Sequence, residues 1–411
     1  MLSCISEDCR RSGFEMMDER EATVLVEKYI EKEGNISSTQ AILDSGAIQR
    51  LKGYVVRPGK VSDCIFGGKG SFTVDKDKPT EHVVEFENPP LETKDGIPLR
   101  LMVRTERIST HDINRGSIPF KDQILALNHN SSRRLVASAI GTSQIGVPGL
   151  EDNSVVIAAE NLQQISVEMV LRAYMAKSST ATSLYQAYVV QGKRRFAGHM
   201  LSDNLFTNGP LPYVMDTPST KEDVHDQTVD PEYLFDLGIC TPQQYRNIRN
   251  SAIVAFGKIS EFLKQKGLII ADTKTEHGTD HLGRIVSQDE IYTMDSSRFW
   301  KEDDYRKQLN LFLQGKDEEL LAYIKETQPD AKEKDYLEGG RIVITPKSYS
   351  KEFARGFSMG DKGYTAEQRV AIAVRYIMGI QHLTGRRFEP DLRPRDERVI
   401  KGLEEAVKLA A

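Results

Sequence analysis

The sequence has few cysteines and no long apolar run. Its four cysteines show no CxxC pair and no histidine spacing typical of a zinc site, so we expect free thiols in a reducing compartment. Acidic residues occupy the region from Met1 to Arg20 where a signal peptide needs an apolar core, and no segment approaches the roughly 18 apolar residues of a membrane span. The sequence therefore predicts a cytoplasmic protein with no membrane partner.

An excess of positive charge is also absent. Lys and Arg total 55 against 60 for Asp and Glu, which gives a net charge of −5. Proteins that bind long nucleic acids usually present a positive surface to the phosphate backbone, so no nucleic-acid partner is expected. Small anionic ligands remain compatible, because a few Arg and Lys side chains can form a local positive pocket. With 39% hydrophobic and 28% charged residues, the composition is that of a folded protein of two or three lobes.

Changes of pattern along the chain predict three parts. Residues 1–50 have helical periodicity and form a predicted N-terminal extension. Residues 51–165 contain short apolar segments broken by glycines, which is typical of strands and hairpins, and form a predicted smaller lobe. Residues 166–411 mix strands with helices and form a predicted larger lobe, with a charged insertion near 306–346. The pattern indicates mixed α and β structure but not how the lobes pack.

Charged residues alternate after a short apolar run in the second half of the chain. Asp272, Lys274 and Glu276 would project to one face of a strand. Asp289 and the glutamate after it follow across a predicted hairpin turn. Several carboxylates repel one another unless a cation is present, and Mg²⁺ prefers oxygen ligands. The alternative is a charged hairpin whose acids simply lie in water.

A short polar segment follows this hairpin. Asp295, Ser296, Ser297 and Arg298 provide an acceptor, two hydroxyls and a forked guanidinium, a combination suited to a ribose and its phosphate. The order DTK-x-E-x-G, then DE, then DSSR-F-W resembles the phosphoribosylaminoimidazole-succinocarboxamide synthase family, also called SAICAR synthetases.

Two motifs nearer the N-terminus stand in the order of this family. Gly59, Lys60, Val61 and Asp63 resemble its GKVRD loop, which in the family covers the ATP phosphates. By itself, a Gly-Lys pair would indicate only a hairpin turn. TERISTHD, followed by Lys121, is similar to the DRISAFD and IP-x-K segment of the family.

Two further motifs fall in the predicted larger lobe. VEMVLRAYMAKSS resembles the family stretch whose Arg and Ser hold the substrate phosphate, which makes Arg172 and Ser178 the candidates here. TPSTKEDVHD resembles the TPSTK and HD pair, so Lys221, His225 and Asp226 are expected near the reacting carboxylate and the amino-acid substrate.

The resemblance implies a two-lobed α+β fold with a smaller antiparallel β-rich lobe that binds ATP, a larger α+β lobe, and ATP in the cleft between them. It also implies that 5-amino-4-carboxyimidazole ribonucleotide and L-aspartate are joined through an amide, with ATP and Mg²⁺, by way of an acyl phosphate. The implied roles are ATP binding for Gly59, Lys60, Val61, Asp63 and Lys121; metal binding for Glu276 and Asp289; substrate binding for Arg172, Ser178, Asp226, Asp295, Ser296, Ser297 and Arg298; and catalysis for Lys221, His225, Asp272 and Lys274.

Three of the motifs depart from the family pattern. Ser62 stands where the loop has Arg, Lys177 where a glycine precedes the serine, and His277 where an aromatic residue follows the glutamate. Two alternatives therefore stay open: a ligase or small-molecule kinase of the same fold with another carboxylate substrate, and a non-catalytic nucleotide sensor. A homo-oligomer is also left open.

Overall fold

Antiparallel strands and helices come in runs along the chain, as expected for the predicted α+β fold. The computed structural model describes residues 15–32, 37–67, 69–71, 83–85, 90–111, 113–221, 227–358 and 360–410. The helices are α1 (Glu19–Glu31), α2 (Thr39–Asp44), α3 (Lys121–Val136), α4 (Pro231–Asp236), α5 (Pro242–Lys264), α6 (Glu302–Leu313), α7 (Asp317–Thr327), α8 (Glu333–Tyr336), α9 (Lys351–Arg355), α10 (Ala366–Thr384) and α11 (Arg395–Ala406). Single turns of tighter or wider helix lie at Gln49–Leu51, Gln186–Val190 and Val407–Leu409. No helix in these described ranges is long and apolar enough to cross a membrane.

The strands form two principal sheets and several hairpins. They are β1 (Val56–Pro58), β2 (Ser62–Ile65), β3 (Lys69–Ser71), β4 (Val83–Glu85), β5 (Leu99–Arg104), β6 (Arg107–Thr110), β7 (Ile113–Ser117), β8 (Gln144–Ile145), β9 (Val156–Glu160), β10 (Gln163–Tyr174), β11 (Arg195–Phe196), β12 (His199–Met200), β13 (Pro210–Asp216), β14 (Ser219–Thr220), β15 (Leu268–Thr279), β16 (Ile285–Ser287), β17 (Ser297–Lys301), β18 (Leu337–Glu338) and β19 (Arg341–Ile342).

The first sheet has the strand order β1-β2-β5-β9-β8, with antiparallel neighbours. Its apolar side shares a core with α2 and with α11 near the C-terminus. Gly402 allows α11 to approach closely, because a Cβ at this position would lie 2.5 Å from Val156 Cγ2. The final helix, which falls in the predicted larger lobe, therefore packs against the sheet of the smaller one.

The second sheet has the order β13-β10-β15-β16, with β14 also paired to β10 and β17 to β15. One face is apolar and shares the largest core with α1, α3, α5 and α10; Met169, Leu171, Ile270 and Phe299 contribute to it. The apolar spacing of α5 and the glycine after it were predicted, and Gly267 does adopt a positive φ there.

The predicted N-terminal extension is part of both cores in its described residues. Tyr29 of α1 packs on Phe120 with ring centroids 4.3 Å apart. Gln381 of α10 exchanges two hydrogen bonds with the backbone of Met17, at 3.0 and 2.9 Å. Helix α2, in contrast, packs into the core of the first sheet. This segment thus joins the two sheets rather than standing apart from them.

Candidate active site

The second sheet carries charged side chains on the face opposite its apolar core. Asp272, Lys274 and Glu276 alternate along β15 and lie on this polar face, which confirms the predicted periodicity. Arg172 of β10 and Arg298 of β17 are the cross-strand neighbours of Asp272 on either side. Antiparallel pairing therefore brings three distant segments of the chain together.

Asp272 binds two arginines, and these three residues are here called the arginine cluster. Arg298 Nε donates to Asp272 Oδ1 at 2.9 Å, and Arg172 Nη1 lies 3.3 Å from Oδ2. Burial favours the neutral acid, but Arg298 and then Arg172 outweigh it and lower the pKa of Asp272. Burial lowers the pKa of Arg172 to about 10, so both guanidiniums stay charged at neutral pH. Two cations share one anion, which leaves a net charge of one positive unit.

The arginine cluster also holds the loop that contains Ser178. Arg298 Nη1 donates to the carbonyl of Lys177 at 2.9 Å. Ser178 is buried, and its hydroxyl accepts from the amide of Thr180 at 3.2 Å. Arg172, Ser178 and Arg298, three of the predicted substrate-binding residues, thus lie at one end of the polar face. A net positive charge beside a hydroxyl suits a phosphate group.

Lysines and glutamates alternate along the rest of this face, in a lysine–glutamate row formed by Glu168, Lys221, Lys274 and Glu276. Lys274 pairs with Glu168 and, at 3.3 Å, with Glu276; Lys221 pairs with the other oxygen of Glu276. Burial opposes ionisation of Glu276, but Lys221 and Lys274 lower its pKa well below the usual range. Its carboxylate is therefore ionised and held between two ammonium groups.

Sequence reasoning missed Glu168 although a signal was present. It lies four residues before Arg172 in the same predicted strand, so the period of two places both on one face. Thr217 was also missed; its hydroxyl accepts from Arg172 Nε at 3.0 Å and orients that side chain.

Asp289, the second predicted metal ligand, follows Gln288, whose backbone is hydrogen-bonded to that of Glu276. Gln288 N donates to the carbonyl of Glu276 at 2.9 Å, and Arg100 of β5 donates to the carbonyl of Gln288 at 3.1 Å. This turn therefore connects the second sheet to the first. No three His, Cys, Asp or Glu side chains converge as a metal-ligand set in the described part of the chain. Mg²⁺ that arrives with a nucleotide keeps water and phosphate ligands and takes only one or two carboxylates, so the prediction for Glu276 and Asp289 does not require such a set.

The predicted glycine-lysine loop is a tight turn between β1 and β2. Gly59 N donates to the carbonyl of Ser62 at 2.8 Å, and a Cβ on Gly59 would lie 2.6 Å from that oxygen. The turn therefore requires glycine. Thr105, which directly follows β5, fixes the turn by donating from its hydroxyl to the carbonyl of Val61 at 2.9 Å. Lys60 is exposed at the tip, where a nucleotide phosphate can reach it.

Asp63 has a different role from the one predicted. Its buried carboxylate accepts from Thr39 Oγ1 at 2.6 Å and from Arg107 Nη2 at 2.5 Å. The same Arg107 nitrogen donates to the carbonyl of Gly59 at 2.8 Å. Arg107 thus links the carboxylate of Asp63 to the backbone of the glycine-lysine loop. The predicted contact between Asp63 and ATP is therefore not supported.

Lys121 and Asp295 form a buried ion pair in the core. The ammonium of Lys121 lies 2.8 Å from Asp295 Oδ2, and neither side chain is more than 3% exposed. Tyr376 donates to Asp295 Oδ1 at 2.6 Å, and Lys351 Nζ lies 3.9 Å from Oδ2. Burial favours the neutral acid, but Lys121 and Lys351 lower the pKa of Asp295, while burial lowers the pKa of Lys351 to about 8. The predicted contacts of Lys121 with ATP and of Asp295 with the ribonucleotide are therefore not supported.

The two serines of the DSSR segment form hydrogen bonds within the protein. Ser297 and Arg298 are consecutive residues of β17, so their side chains project to opposite faces. The Ser297 hydroxyl lies 2.8 Å from that of Thr273 on the apolar side. Ser296 accepts from the amide of Thr293 at 3.1 Å within a turn. Of the predicted substrate contacts in this segment, only Arg298 reaches the arginine cluster.

His277 lies on the apolar face. The presence of histidine where the family has an aromatic residue therefore does not alter the polar face. Burial lowers the pKa of His277 to about 4, and the ring is neutral near pH 7. The other predicted residues of the TPSTK-HD region, His225 and Asp226, lie outside the described residues.

Comparisons with known proteins agree with the motifs. The chain matches the family model for SAICAR synthetase over residues 92–319. The phosphoribosylaminoimidazole-succinocarboxamide synthase of Legionella pneumophila (strain Lens) is 35% identical over 210 residues, which cover 51% of this chain and 65% of that relative. A relative from Mesorhizobium japonicum is 30% identical over 295 residues, covering 71% of this chain and 85% of its own length. The match to the Legionella protein thus spans less than two thirds of its length.

Solved structures share the fold. The SAICAR-synthase from Saccharomyces cerevisiae in complex with SAICAR has a TM-score of 0.56 at 21% identity, covering 82% of this chain and 97% of that one. A type-2 SAICAR synthetase in complex with ADP has a TM-score of 0.51 at 18% identity, covering 82% of this chain and 100% of that one. Together, the family match and the relatives establish that this chain belongs to the SAICAR synthetase family.

Proposed function

We propose that the protein is an ATP-dependent ligase that joins the carboxylate of 5-amino-4-carboxyimidazole ribonucleotide to the amine of L-aspartate. The observation that carries this proposal is the continuous polar face of the second sheet. There, the arginine cluster and the lysine–glutamate row lie side by side, within the segment that matches the family. One end suits a phosphate, and the other has ionised groups for a nucleotide and its metal.

The chemistry requires activation of the carboxylate. A carboxylate does not react with an amine at a useful rate, because its negative charge repels the nucleophile and oxide is a poor leaving group. Transfer of the γ-phosphoryl group of ATP gives an acyl phosphate, and the amine then displaces phosphate. The protein contributes mainly positioning and electrostatic stabilisation.

The ribonucleotide would bind along the polar face with its phosphate at the arginine cluster and Ser178. Asp272 holds both guanidiniums in place, so they need little reorganisation when the phosphate arrives. Lys274 would stabilise charge on the transferred phosphoryl group, and its contacts with Glu168 and Glu276 hold its side chain on the polar face.

ATP would bind between this face and the glycine-lysine loop, with Lys60 at its phosphates. Glu276 and Asp289 would hold Mg²⁺, which supplies charge neutralisation of the phosphates when bound. A neighbour of the same fold was solved with ADP, and we extend that ligand class to this chain. Lys221 would then be released from Glu276 to face the incoming L-aspartate. We also propose a cytoplasmic location.

The test is ADP formation by purified protein with ATP, Mg²⁺ and the carboxylated ribonucleotide, measured with and without L-aspartate. We expect ADP release to depend on aspartate, and mass spectrometry to detect one succinocarboxamide per ADP. Folded protein that binds ATP but gives no adduct would refute the proposed reaction. ADP release without aspartate would instead indicate a kinase acting at the same site.

A further inference from the structure

Lys177 connects the arginine cluster to a hairpin that lies beyond the family match. Its backbone is fixed on both sides, since its amide donates to Asn208 Oδ1 at 2.8 Å and its carbonyl accepts from Arg298 Nη1 at 2.9 Å. Its ammonium lies 3.6 Å from Glu338 Oε2 and donates to the carbonyl of Asp335 at 3.3 Å. Asp335 and Glu338 both follow residue 319, where the family match ends.

The carboxylate of Glu338 is fixed more firmly than the ammonium beside it. Tyr185 Oη donates to Glu338 Oε2 at 2.5 Å, and Thr207 Oγ1 donates to Oε1 at 2.5 Å. The side chains of Lys177 and Glu338 are 24% and 23% exposed. An ion pair at this distance and exposure is weak, so the flexible lysine stem can turn away at little cost.

The net positive charge of the arginine cluster is smaller than the negative charge of a phosphate monoester. Its two guanidiniums and one carboxylate sum to one positive unit, whereas a phosphate monoester carries roughly 1.5 to 2 negative charges near pH 7. Lys177 immediately precedes Ser178, and its carbonyl is bound to Arg298. Its backbone therefore contacts the cluster directly, and its flexible side chain can bring a further positive charge to it.

We propose that Lys177 is a specificity-determining residue that binds the phosphate of the substrate, and that Glu338 is a positioning residue for its side chain. In the absence of ligand, Glu338 keeps the lysine stem beside the loop, which reduces the entropy lost when the ammonium meets the phosphate. The identity of the whole substrate rests on the proposed function, but recognition of its phosphate does not.

The binding test uses ribose 5-phosphate, which has the phosphate but not the reacting imidazole. Calorimetry would measure its Kd for the full chain, for Lys177→Met, and for Lys334→Met as a control at an exposed lysine of α8. We expect Lys177→Met to weaken binding about tenfold, the effect of losing one charged hydrogen bond, and Lys334→Met to leave it unchanged. Lys177→Arg should retain most of the affinity. An unchanged Kd in Lys177→Met, or no binding to folded wild-type protein, would overturn the assignment.

The positioning role is tested with Glu338→Gln, using Glu333→Gln as the matched control. We expect the KM for the ribonucleotide to rise about threefold in Glu338→Gln, with the KM for ATP and the circular dichroism spectrum unchanged. A lower or unchanged KM for the ribonucleotide would overturn it. The protein could bind ribose 5-phosphate in a way that depends on Lys177 and yet form no adduct. That outcome would refute the proposed reaction but not this inference.

Discussion

Replacing Asp272 with Asn should destabilise the protein strongly, because it removes the only carboxylate that binds both guanidiniums of the arginine cluster in the described structure. The three side chains are at most 12% exposed, so water cannot replace the lost partner easily. Removing one member of a buried ion pair usually costs about 3–5 kcal/mol. We expect a loss of this size in the free energy of unfolding.

The assay is urea denaturation followed by circular dichroism, with Asp152→Asn as the control. Asp152 also binds an arginine, Arg134, through two hydrogen bonds, but that pair is 47–49% exposed. An exposed pair is worth about 0–1 kcal/mol, so this control should stay close to wild type. Inorganic phosphate should restore part of the stability of Asp272→Asn, since an added anion can partly replace the missing charge.

Equal stability of the two variants would refute this reasoning. It would mean that the guanidiniums of Arg172 and Arg298 find other partners or water when Asp272 is neutral. The cluster could then not be treated as a buried site with excess positive charge.

Three further predictions concern the polar face and the core. Glu276→Gln should destabilise the fold less than Asp272→Asn, because its partners Lys221 and Lys274 are 23% and 40% exposed and water can solvate them, but it should lower ADP release at least about a hundredfold; a wild-type rate would remove the metal assignment. Arg298→Met should raise the KM for the ribonucleotide about tenfold or more while that for ATP stays within about twofold, and equal effects on both would contradict the assignment. Burial, followed by the charge of Asp122, raises the pKa of Glu106 to about 8. The folded protein then holds a proton that the unfolded chain releases above about pH 4.5, so this group lowers stability progressively from about pH 4.5 to 8. The Tm of Glu106→Gln, measured relative to that of wild type, should therefore rise as the pH is raised from 5 to 9. A Tm difference that does not change with pH would contradict a neutral, buried Glu106.

Strand periodicity was sufficient to predict the polar face. Asp272, Lys274 and Glu276 share a face because side chains alternate along any strand, whatever packs around it. Their partners could not be predicted in the same way. Glu168 and Arg172 lie 106 and 100 residues from the side chains that they bind, and only the pairing of β10 with β15 brings them together.

The errors in the site came from treating neighbours in sequence as neighbours in space. Ser297 and Arg298 were assigned to one ligand, although consecutive strand residues face opposite sides. Lys121 and Asp295 belong to distant segments that meet in the core, and their motifs carry no sign of that burial. The packing of α11 onto the first sheet could not be predicted from the sequence either, since the amphipathic pattern of a helix does not identify the sheet that covers it.

The most direct test of the proposed activity follows oxygen from the ribonucleotide carboxylate. With that carboxylate labelled with ¹⁸O, ATP, Mg²⁺ and L-aspartate would be added and the released phosphate analysed by mass spectrometry. An acyl phosphate predicts one labelled oxygen in each phosphate, with one amide adduct formed for each ADP. Unlabelled phosphate, or label transfer without an aspartate adduct, would contradict the proposed ligase reaction.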